Sequence, residues 1–400
     1  MTLFRREFLS AGAAATLSAG AALAQGAPAA GARAPEPPPT SAGNSLPDNE
    51  KKIRIVTLRD LEAEAEKVMV PFGFAYVAGG AGDEWTMKEN LAAFNRWTIM
   101  PNYLTGHRSS DPSTTILGTR IACPVIAAPV GNQGVVHAQG ELPTVKGTAL
   151  AGTTYVTSSV SQMSLEDIAA ASSGDKWFQI YFPDDRSFAT ELLQRAKAAE
   201  YKVIVITVDA TITSNRERAT RLIGAPLPGL AMGNSPGTPG VTGNAMAMKI
   251  DLTWDDVDFC RSTTGLPVIV KGILSPAQAL EAERRGCAGV WLSNHGGRQL
   301  DNTPYAITVL PRVAEALKGR TAIIIDGGVY RGQDVFRALA LGANAVALGR
   351  PLQYGSALGG AQGVRSVYDH LRTEFTMTMQ LAGTPTVQSI ARNCLERAET

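Results

Sequence analysis

Short runs of apolar residues recur along the chain after residue 120, and polar stretches separate them. Each run is apolar on both faces, as expected of a strand that is covered on both sides. Most of the intervening stretches have the spacing of amphipathic helices, for example Ser275–Arg285 and Arg331–Leu341. The eight runs are Pro124–Val130, Thr153–Ser159, Trp177–Phe182, Lys202–Asp209, Pro267–Ile273, Gly289–Gly296, Ala322–Gly328 and Ala345–Pro351.

This alternation of strand and helix predicts the fold. The runs start 22 to 33 residues apart, except for one interval of 65 residues between Lys202 and Pro267. Eight alternating units favour an α/β fold of the (β/α)8 TIM-barrel type over a doubly wound sheet. We expect residues 51–120 to form an N-terminal helical preface. The wide interval predicts a long loop after strand 4, placed over the barrel mouth as a lid.

The first 24 residues have the form of an export signal. Arg5 and Arg6 are a twin-arginine pair, an apolar stretch follows, and Ala22-Leu23-Ala24 offers a cleavage site of the A-x-A type. The stretch from Ala11 to Ala24 is shorter than the roughly 20 residues of a spanning helix. We therefore expect twin-arginine export to the periplasm or the medium, with no membrane span in the mature chain. The predicted segments are a signal peptide (1–24), an Ala/Pro-rich linker (25–50), a barrel domain (51–390) and a C-terminal tail (391–400).

Composition and charge exclude several classes of function. The 400 residues include 37 Lys and Arg against 36 Asp and Glu, a net charge of +1, so no electrostatic footprint for nucleic acid is present. Four scattered cysteines, without the C-x-x-C spacing, indicate neither a zinc ribbon nor a disulfide framework. We expect no metal site. An apolar fraction of 44% is ample for a large core.

Polar residues follow six of the apolar runs. In a barrel, residues at the carboxyl ends of the strands meet at one face, where the active site lies. Six polar strand ends therefore predict one shared pocket. They are Gln179 and Tyr181, Thr207 and Asp209, Lys271, Ser293 through Arg298, Asp326, and Gly349 with Arg350.

The run Ser293-Asn-His-Gly-Gly-Arg-Gln-Leu-Asp301 carries the most specific motif. With it, the chain resembles the FMN-dependent α-hydroxy acid oxidase and dehydrogenase family, and most of all its lactate oxidase branch. The resemblance covers about residues 51–390. Its matching elements follow in order: Tyr76, Gly79 to Thr86, Phe178 to Tyr181, Thr207 to Asp209, Asn215 to Arg218, Val270 to Ile273, His295 to Arg298, Asp326 to Val329 and Leu348 to Pro351.

The resemblance implies an acid–base pair in the site. His295 is the base, a role that suits imidazole because it titrates near neutrality. Asp209 is its carboxylate partner and orients the ring. His295 either removes the C2 proton of the substrate, leaving a carbanion, or takes the hydroxyl proton as hydride moves to the flavin. The residues leave both mechanisms open.

The resemblance also implies the groups that bind the substrate. A 2-hydroxy acid carries a carboxylate, for which a guanidinium provides a bidentate partner. Arg298 has this role, with Arg216 as a second clamp. Tyr76 and Tyr181 are phenols that face the substrate.

FMN is the cofactor that the resemblance implies. Lys271 lies against the polar edge of the flavin, where a positive charge stabilises the reduced form. The phosphate lies beyond the last two strands, where glycine amides approach closely. The cofactor-binding residues are Val130, Gly131, Ser158, Gln179, Thr207, Lys271, Ser293, Asp326, Gly328, Arg331, Gly349 and Arg350.

The chain departs from the family pattern at three positions. Tyr330 replaces an arginine that binds the phosphate, so we expect weaker FMN retention unless Arg331 compensates. Gly131 stands where many members carry alanine, which predicts less bulk beside the flavin. Val160 replaces an aromatic residue of the plant-type glycolate oxidases and so argues against that branch.

The sequence therefore predicts an exported FMN enzyme that oxidises a small, lactate-like L-2-hydroxy acid to the 2-oxo acid. Oxygen, or a periplasmic or membrane electron acceptor, reoxidises the FMN, and the resemblance implies a homo-tetramer. One alternative is a non-catalytic ligand-binding barrel that has lost its flavin after the change at Tyr330. Another is a relative of inosine monophosphate dehydrogenase, which the absence of a cysteine from Asn302 to Pro311 disfavours.

Overall fold

Three short helices and three short strands precede the barrel in the computed structural model, which describes residues 50–222, 232–235 and 248–398. The strands add to the helical preface expected for residues 51–120, and the pattern missed them because each has only three residues. In chain order the elements are α1 (Leu61–Glu66), α2 (Pro71–Ala78), α3 (Trp85–Ala92), β1 (Trp97–Ile99), β2 (Thr114–Ile116) and β3 (Thr119–Ile121). The predicted signal peptide and all but Glu50 of the predicted linker lie outside the described residues.

Each of the eight predicted runs contains one strand of a parallel barrel. Strand β8 ends with its run and the other strands stop one to four residues before their runs end, so the polar residues there either lie in a strand or enter the loops at the mouth. Within the described residues the barrel strands are β4 (Val125–Ala127), β5 (Tyr155–Ser158), β6 (Lys176–Ile180), β7 (Ile204–Thr207), β8 (Val268–Ile273), β9 (Gly289–Leu292), β10 (Ala322–Ile325) and β11 (Ala345–Leu348).

The sheet is nearly closed. Its strand order is β4-β11-β10-β9-β8-β7-β6-β5, and all neighbours are parallel. Between the first and last strands, the amide of Ala127 donates to the carbonyl of Thr154 at 3.0 Å. The antiparallel pair β2–β3 contributes Ile116 and Ile121 to the apolar cluster inside the barrel. These contacts confirm the predicted (β/α)8 fold.

Helices connect the strands on the outside. The predicted helix at 275–285 begins after Ser275, whose Oγ accepts from the amide of Gln278 at 3.2 Å, and the one at 331–341 begins after Arg331. No helix among the described residues is long and apolar enough to cross a membrane. The helices are α4 (Leu142–Leu150), α5 (Leu165–Ala170), α6 (Arg186–Ala198), α7 (Glu217–Leu222), α8 (Trp254–Thr264), α9 (Pro276–Arg284), α10 (Ala306–Leu317), α11 (Gly332–Ala340) and α12 (Arg350–Leu381).

The barrel interior has an apolar layer below a largely polar one. Since side chains alternate along a strand, residues two apart point the same way. The buried apolar layer takes one residue from each strand: Ile126, Val156, Trp177, Val205, Ile269, Trp291, Ile324 and Ala347. Two residues further toward the mouth stand Ala128, Ser158, Gln179, Thr207, Lys271, Ser293, Asp326 and Gly349. Six predicted site residues with polar side chains therefore share the upper layer.

Part of the predicted C-terminal tail at 391–400 is a strand that pairs with the preface. Strand β12 (Leu395–Arg397) pairs antiparallel with β1, and Leu395 is buried. Only residues 399–400 of this segment lie outside the described part. The two strands have three residues each, too short for the pattern to reveal the pairing.

Candidate active site

A cavity of about 980 Å³, including its open mouth, lies at the carboxyl ends of the strands. Its size is in the range of cofactor and ligand pockets. Residues from the preface, from the loops after the strands and from the start of α12 line it. Five of the six predicted polar strand ends contribute lining residues, and the sixth, Thr207 with Asp209, does not. Among the lining side chains are four cations of the described chain: Arg216, Lys271, Arg298 and Arg350.

One half of the polar layer is a chain of neutral side chains. Ser158 Oγ donates to Gln179 Oε1 at 2.9 Å, and Gln179 Nε2 donates to Thr207 Oγ1 at 2.9 Å. All three residues are buried. They share the polar layer, here called the floor, with Lys271, and the orientation of each fixes the next, although none of the three is among the residues that line the cavity.

The other half of the layer holds a buried charge pair. Lys271 Nζ donates to Ser293 Oγ at 3.0 Å and lies 3.6 Å from Asp326 Oδ2. Ser293 Oγ in turn donates to Asp326 Oδ1 at 2.7 Å, and Trp291 Nε1 donates to Asp326 Oδ2 at 3.0 Å. Because its counter-charge Asp326 is fixed beside it in the same layer, Lys271 presents a positioned positive charge to the cavity.

His295 lies between Asp209 and Tyr181. Its Nδ1 is 3.0 Å from Asp209 Oδ1, and its Nε2 is 3.3 Å from the Tyr181 hydroxyl. The His295 amide donates to Ser293 Oγ at 2.9 Å, and its backbone has φ of +59°. With Nδ1–H donated to the carboxylate, Nε2 carries the lone pair and is the atom available to accept a proton.

A glycine permits Asp209 to reach this position. Gly272 follows Lys271 in β8 and has φ of +106°. A Cβ atom at Gly272 would lie 2.7 Å from the Cβ of Asp209. Only glycine therefore combines this backbone conformation with so close an approach.

Burial and charge set the protonation of these groups. Burial lowers the pKa of His295, the Asp209 carboxylate opposes this, and the Lys271 charge adds to it. Burial of Asp209 favours its neutral form, but His295 and Lys271 outweigh it and hold the pKa of this carboxyl below its usual range. Burial and the Asp209 charge raise the pKa of the Tyr181 phenol. Near neutral pH the site thus holds a neutral imidazole, a carboxylate and a protonated phenol.

Two guanidinium groups stand together beside Tyr76. Arg298 Nη1 donates to the carbonyls of Tyr76 and Gly79, each at 2.7 Å. Arg216 Nε donates to the carbonyl of Arg298 at 3.1 Å, and its Nη2 to Gln299 Oε1 at 2.8 Å. Burial and then the Arg216 charge lower the pKa of Arg298. The same two cations overcome burial and lower the pKa of the Tyr76 phenol. This corner is therefore a site for an anion.

Arg350 also binds backbone carbonyls at the carboxyl end of helix α2. Its Nε donates to the carbonyl of Val77 at 3.1 Å, its Nη2 to that of Gly79 at 3.0 Å and its Nη1 to that of Gly296 at 3.0 Å. Arg350 and the predicted residues Gly328 and Gly349 line the same end of the cavity, at the start of α12.

The structure does not bring Arg331 to the cavity. This residue caps α11, and its Nη1 pairs with Glu374 Oε1 on α12 at 2.7 Å. Arg331 therefore stands outside the cavity, with its guanidinium bound by a carboxylate. Tyr330 does line the cavity.

Val130 and Gly131 lie in the wall next to Val160. A Cβ at Gly131 would come within 2.4 Å of Val160 Cγ2. The space that an alanine side chain would take at Gly131 is therefore occupied by Val160 in this chain.

Two residues of the site escaped the sequence reasoning. Asn132 Nδ2 donates to the Tyr76 hydroxyl at 3.3 Å. Gln353 lines the cavity and is buried. The periodicity of α12 could have flagged Gln353, because an amide stands there on the buried side of the helix.

The predicted lid is only partly described, as residues 223–231 and 236–247 lie outside the described part of the chain. Within the described part, no cluster of three or more His, Cys, Asp or Glu could hold a metal ion.

The family of FMN-dependent dehydrogenases matches residues 65–397. The chain belongs to that family. It is 42% identical over 352 residues to an L-lactate oxidase of Lentilactobacillus hilgardii, covering 86% of this chain and 95% of the relative. A peroxisomal (S)-2-hydroxyacid oxidase of Arabidopsis thaliana is 38% identical over 348 residues, covering 85% and 96%. A crystal structure of a lactate oxidase from Pediococcus acidilactici superposes with a TM-score of 0.84 at 42% identity, covering 88% and 97%.

This family membership makes the chain an FMN-dependent oxidoreductase, and the cavity fits that cofactor. FMN joins a flat flavin, with a polar edge, to a phosphate. The cationic side chains lining the cavity suit an anionic cofactor, and the unpartnered, buried Oε1 of Gln353 suits a ligand with polar groups. Lys271, which lines the cavity, would hold the flavin edge. Gly328, Gly349 and Arg350 would hold the phosphate end.

Proposed function

We propose that this FMN enzyme oxidises a small L-2-hydroxy acid to the 2-oxo acid. One observation carries the proposal: the base His295 and the cationic pair Arg216 and Arg298 line the same cavity. A 2-hydroxy acid needs both, since it is an anion that must lose two protons and two electrons. The names of the relatives, L-lactate oxidase and (S)-2-hydroxyacid oxidase, support the same substrate class.

Arg298 and Arg216 bind the substrate carboxylate. The hydrogen bonds of Arg298 to carbonyls all involve Nη1, which leaves Nε and Nη2 for the ligand. A bound carboxylate relieves the mutual repulsion of the two cations. Tyr76 adds a phenol that already accepts from Asn132 Nδ2, so its own proton is directed elsewhere and can be donated to the substrate.

His295 Nε2 accepts one proton of the substrate. Asp209 stabilises the imidazolium that results, at a distance of 3.0 Å between Nδ1 and Oδ1. The Tyr181 hydroxyl, 3.3 Å from Nε2, is a donor for the substrate hydroxyl oxygen. FMN, when bound, accepts the two electrons. The Lys271 charge stands on the cavity floor, where it favours an anionic reduced cofactor.

Anaerobic reduction of the holoenzyme tests the proposal. L-lactate, glycolate, (S)-mandelate and D-lactate are mixed in turn with the protein, and the flavin absorbance is followed. We expect bleaching by at least one L-hydroxy acid and none by D-lactate. A His295→Asn variant should keep its flavin colour and not bleach. Bound flavin that no hydroxy acid bleaches would refute the proposed reaction. A purified protein that binds no FMN would refute it as well and would favour a flavin-free binding barrel.

We further propose that the enzyme is exported and passes its electrons to oxygen or to a periplasmic or membrane acceptor. The twin-arginine pair at residues 5 and 6 supports export. Rapid mixing of the reduced enzyme with oxygen or with a soluble quinone compares the two acceptors directly. We also propose the homo-tetramer that the family resemblance implies, and light scattering of the purified protein measures its mass.

A further inference from the structure

One buried side chain at the cavity has no partner in the described chain. Gln353 is the fourth residue of α12, is 1% exposed and lines the cavity. Its Oε1 is fully buried and accepts no hydrogen bond. Buried amides are normally hydrogen-bonded, because an unmade bond costs the desolvation of the group. The side chain therefore points to a ligand.

The surroundings of Gln353 define that ligand. The same end of the cavity is lined by Gly328, Gly349 and the first turn of α12. In barrels, phosphate groups lie at the loops after the last two strands and at the start of a following helix. A helix N-terminus and glycine amides both favour an anion. The phosphate end of FMN is thus the part of the cofactor that these residues suit.

Part of the positive charge at this end is already committed. Three nitrogen atoms of the Arg350 guanidinium donate to the carbonyls of Val77, Gly79 and Gly296. Arg331 pairs with Glu374 outside the cavity. Tyr330 contributes a phenol where a cation would otherwise stand. A phosphate here needs hydrogen-bond donors beyond the arginines.

We propose that Gln353 binds the FMN phosphate through its carboxamide Nε2, with the Tyr330 hydroxyl as a second neutral donor. The two ends of a carboxamide exchange on rotation by half a turn, so the side chain can turn its donor toward the cavity. In this chain, neutral donors replace part of the charge with which a phosphate is usually held. The inference rests on the family membership and not on the proposed substrate.

Binding of FMN and of riboflavin, which lacks the phosphate, tests this inference. The full chain is exchanged by dialysis into each flavin, and the quenching of flavin fluorescence gives the two dissociation constants. Gln353→Leu removes the donor at nearly the same volume. We expect FMN binding to weaken about tenfold, the loss of one hydrogen bond to a charged group, and riboflavin binding to change less than about twofold.

Gln353→Glu is the sharper variant, because it keeps the shape and puts a negative charge beside the phosphate. We expect a loss of about a hundredfold for FMN. Tyr354→Phe is the matched control, since it removes a buried hydroxyl from the neighbouring residue, which does not line the cavity, and should change neither constant.

Equal weakening of FMN and riboflavin in the Gln353 variants would assign Gln353 to packing alone and overturn the inference. Unchanged FMN binding in Gln353→Glu would also overturn it. Neither outcome bears on the proposed oxidation of the hydroxy acid, which anaerobic bleaching tests separately.

Discussion

The Nδ1 atom of His295 lies 3.0 Å from Oδ1 of Asp209, while the other carboxylate oxygen, Oδ2, is buried and has no partner among the described residues. The carboxylate is therefore committed to the imidazole. This pairing fixes the tautomer of His295 and leaves Nε2 toward Tyr181.

Replacing Asp209 by Asn should slow the anaerobic reduction of the flavin by about 10²- to 10⁴-fold, since the imidazolium loses its partner. Asp209 raises the pKa of His295, so the variant should also have a lower His295 pKa. Stopped-flow rates between about pH 5 and pH 8 should show the acid limb displaced to lower pH. An acid limb at the wild-type position would contradict the pairing.

In the wild-type enzyme, the acid limb of the pH profile for flavin reduction should lie at low pH. The proton acceptor is neutral His295, and burial lowers its pKa below the model-compound value of about 6.5. The rate of flavin reduction should therefore rise with pH through a pKa lower than that and be level at neutrality. The His295→Asn variant, which has no such group, should not reduce its flavin at any pH in this range. A wild-type limb centred above about pH 7 would contradict the assignment.

Arg298→Lys should raise the KM for the hydroxy acid by about tenfold or more, because an ammonium cannot bind the Tyr76 and Gly79 carbonyls and a carboxylate fork together. Steady-state kinetics with the best substrate of the panel measure this. Arg320→Lys is the matched control, as Arg320 pairs with Glu283 at the surface, donates to the carbonyl of Ala316 and does not line the cavity. An unchanged KM in the Arg298 variant would reject the clamp.

Gly131→Ala should lower the thermal midpoint, because the new Cβ would lie 2.4 Å from Val160 Cγ2 and 2.9 Å from the Val160 carbonyl oxygen. Overpacking of this kind costs about 1–3 kcal/mol. Adding Val160→Ala removes the methyl contact and should recover part of the loss, whereas the carbonyl contact remains. A double-mutant cycle measured by thermal unfolding gives the coupling. Strictly additive effects would show that the two residues do not share this space.

The barrel and most of its site were accessible from the sequence because both depend on local pattern. A strand covered on both faces is apolar throughout, and the polar residues at its end, such as Lys271 or Asp326, stand out against it. The same periodicity put the predicted floor residues in one layer.

The features that the sequence did not reveal depend on contacts between distant parts of the chain. Arg331 is held away from the cavity by Glu374, more than 40 residues later, and the last strand pairs with β1 near the start of the described chain. Val160, which follows β5, fills the space beside Gly131, which follows β4. No local pattern carries these contacts, since each depends on how separate elements meet.

The carbonyl groups of Tyr76, Val77 and Gly79, at the end of α2, are bound by Arg298 and Arg350 from the last third of the sequence. The segment before the first barrel strand thus forms part of the cavity wall, and the barrel alone would not complete the site. Shortening the protein to the bare eightfold repeat would leave two guanidinium groups unanchored at its mouth. Circular permutants or fusions should accordingly keep residues 50–121 attached and be opened elsewhere.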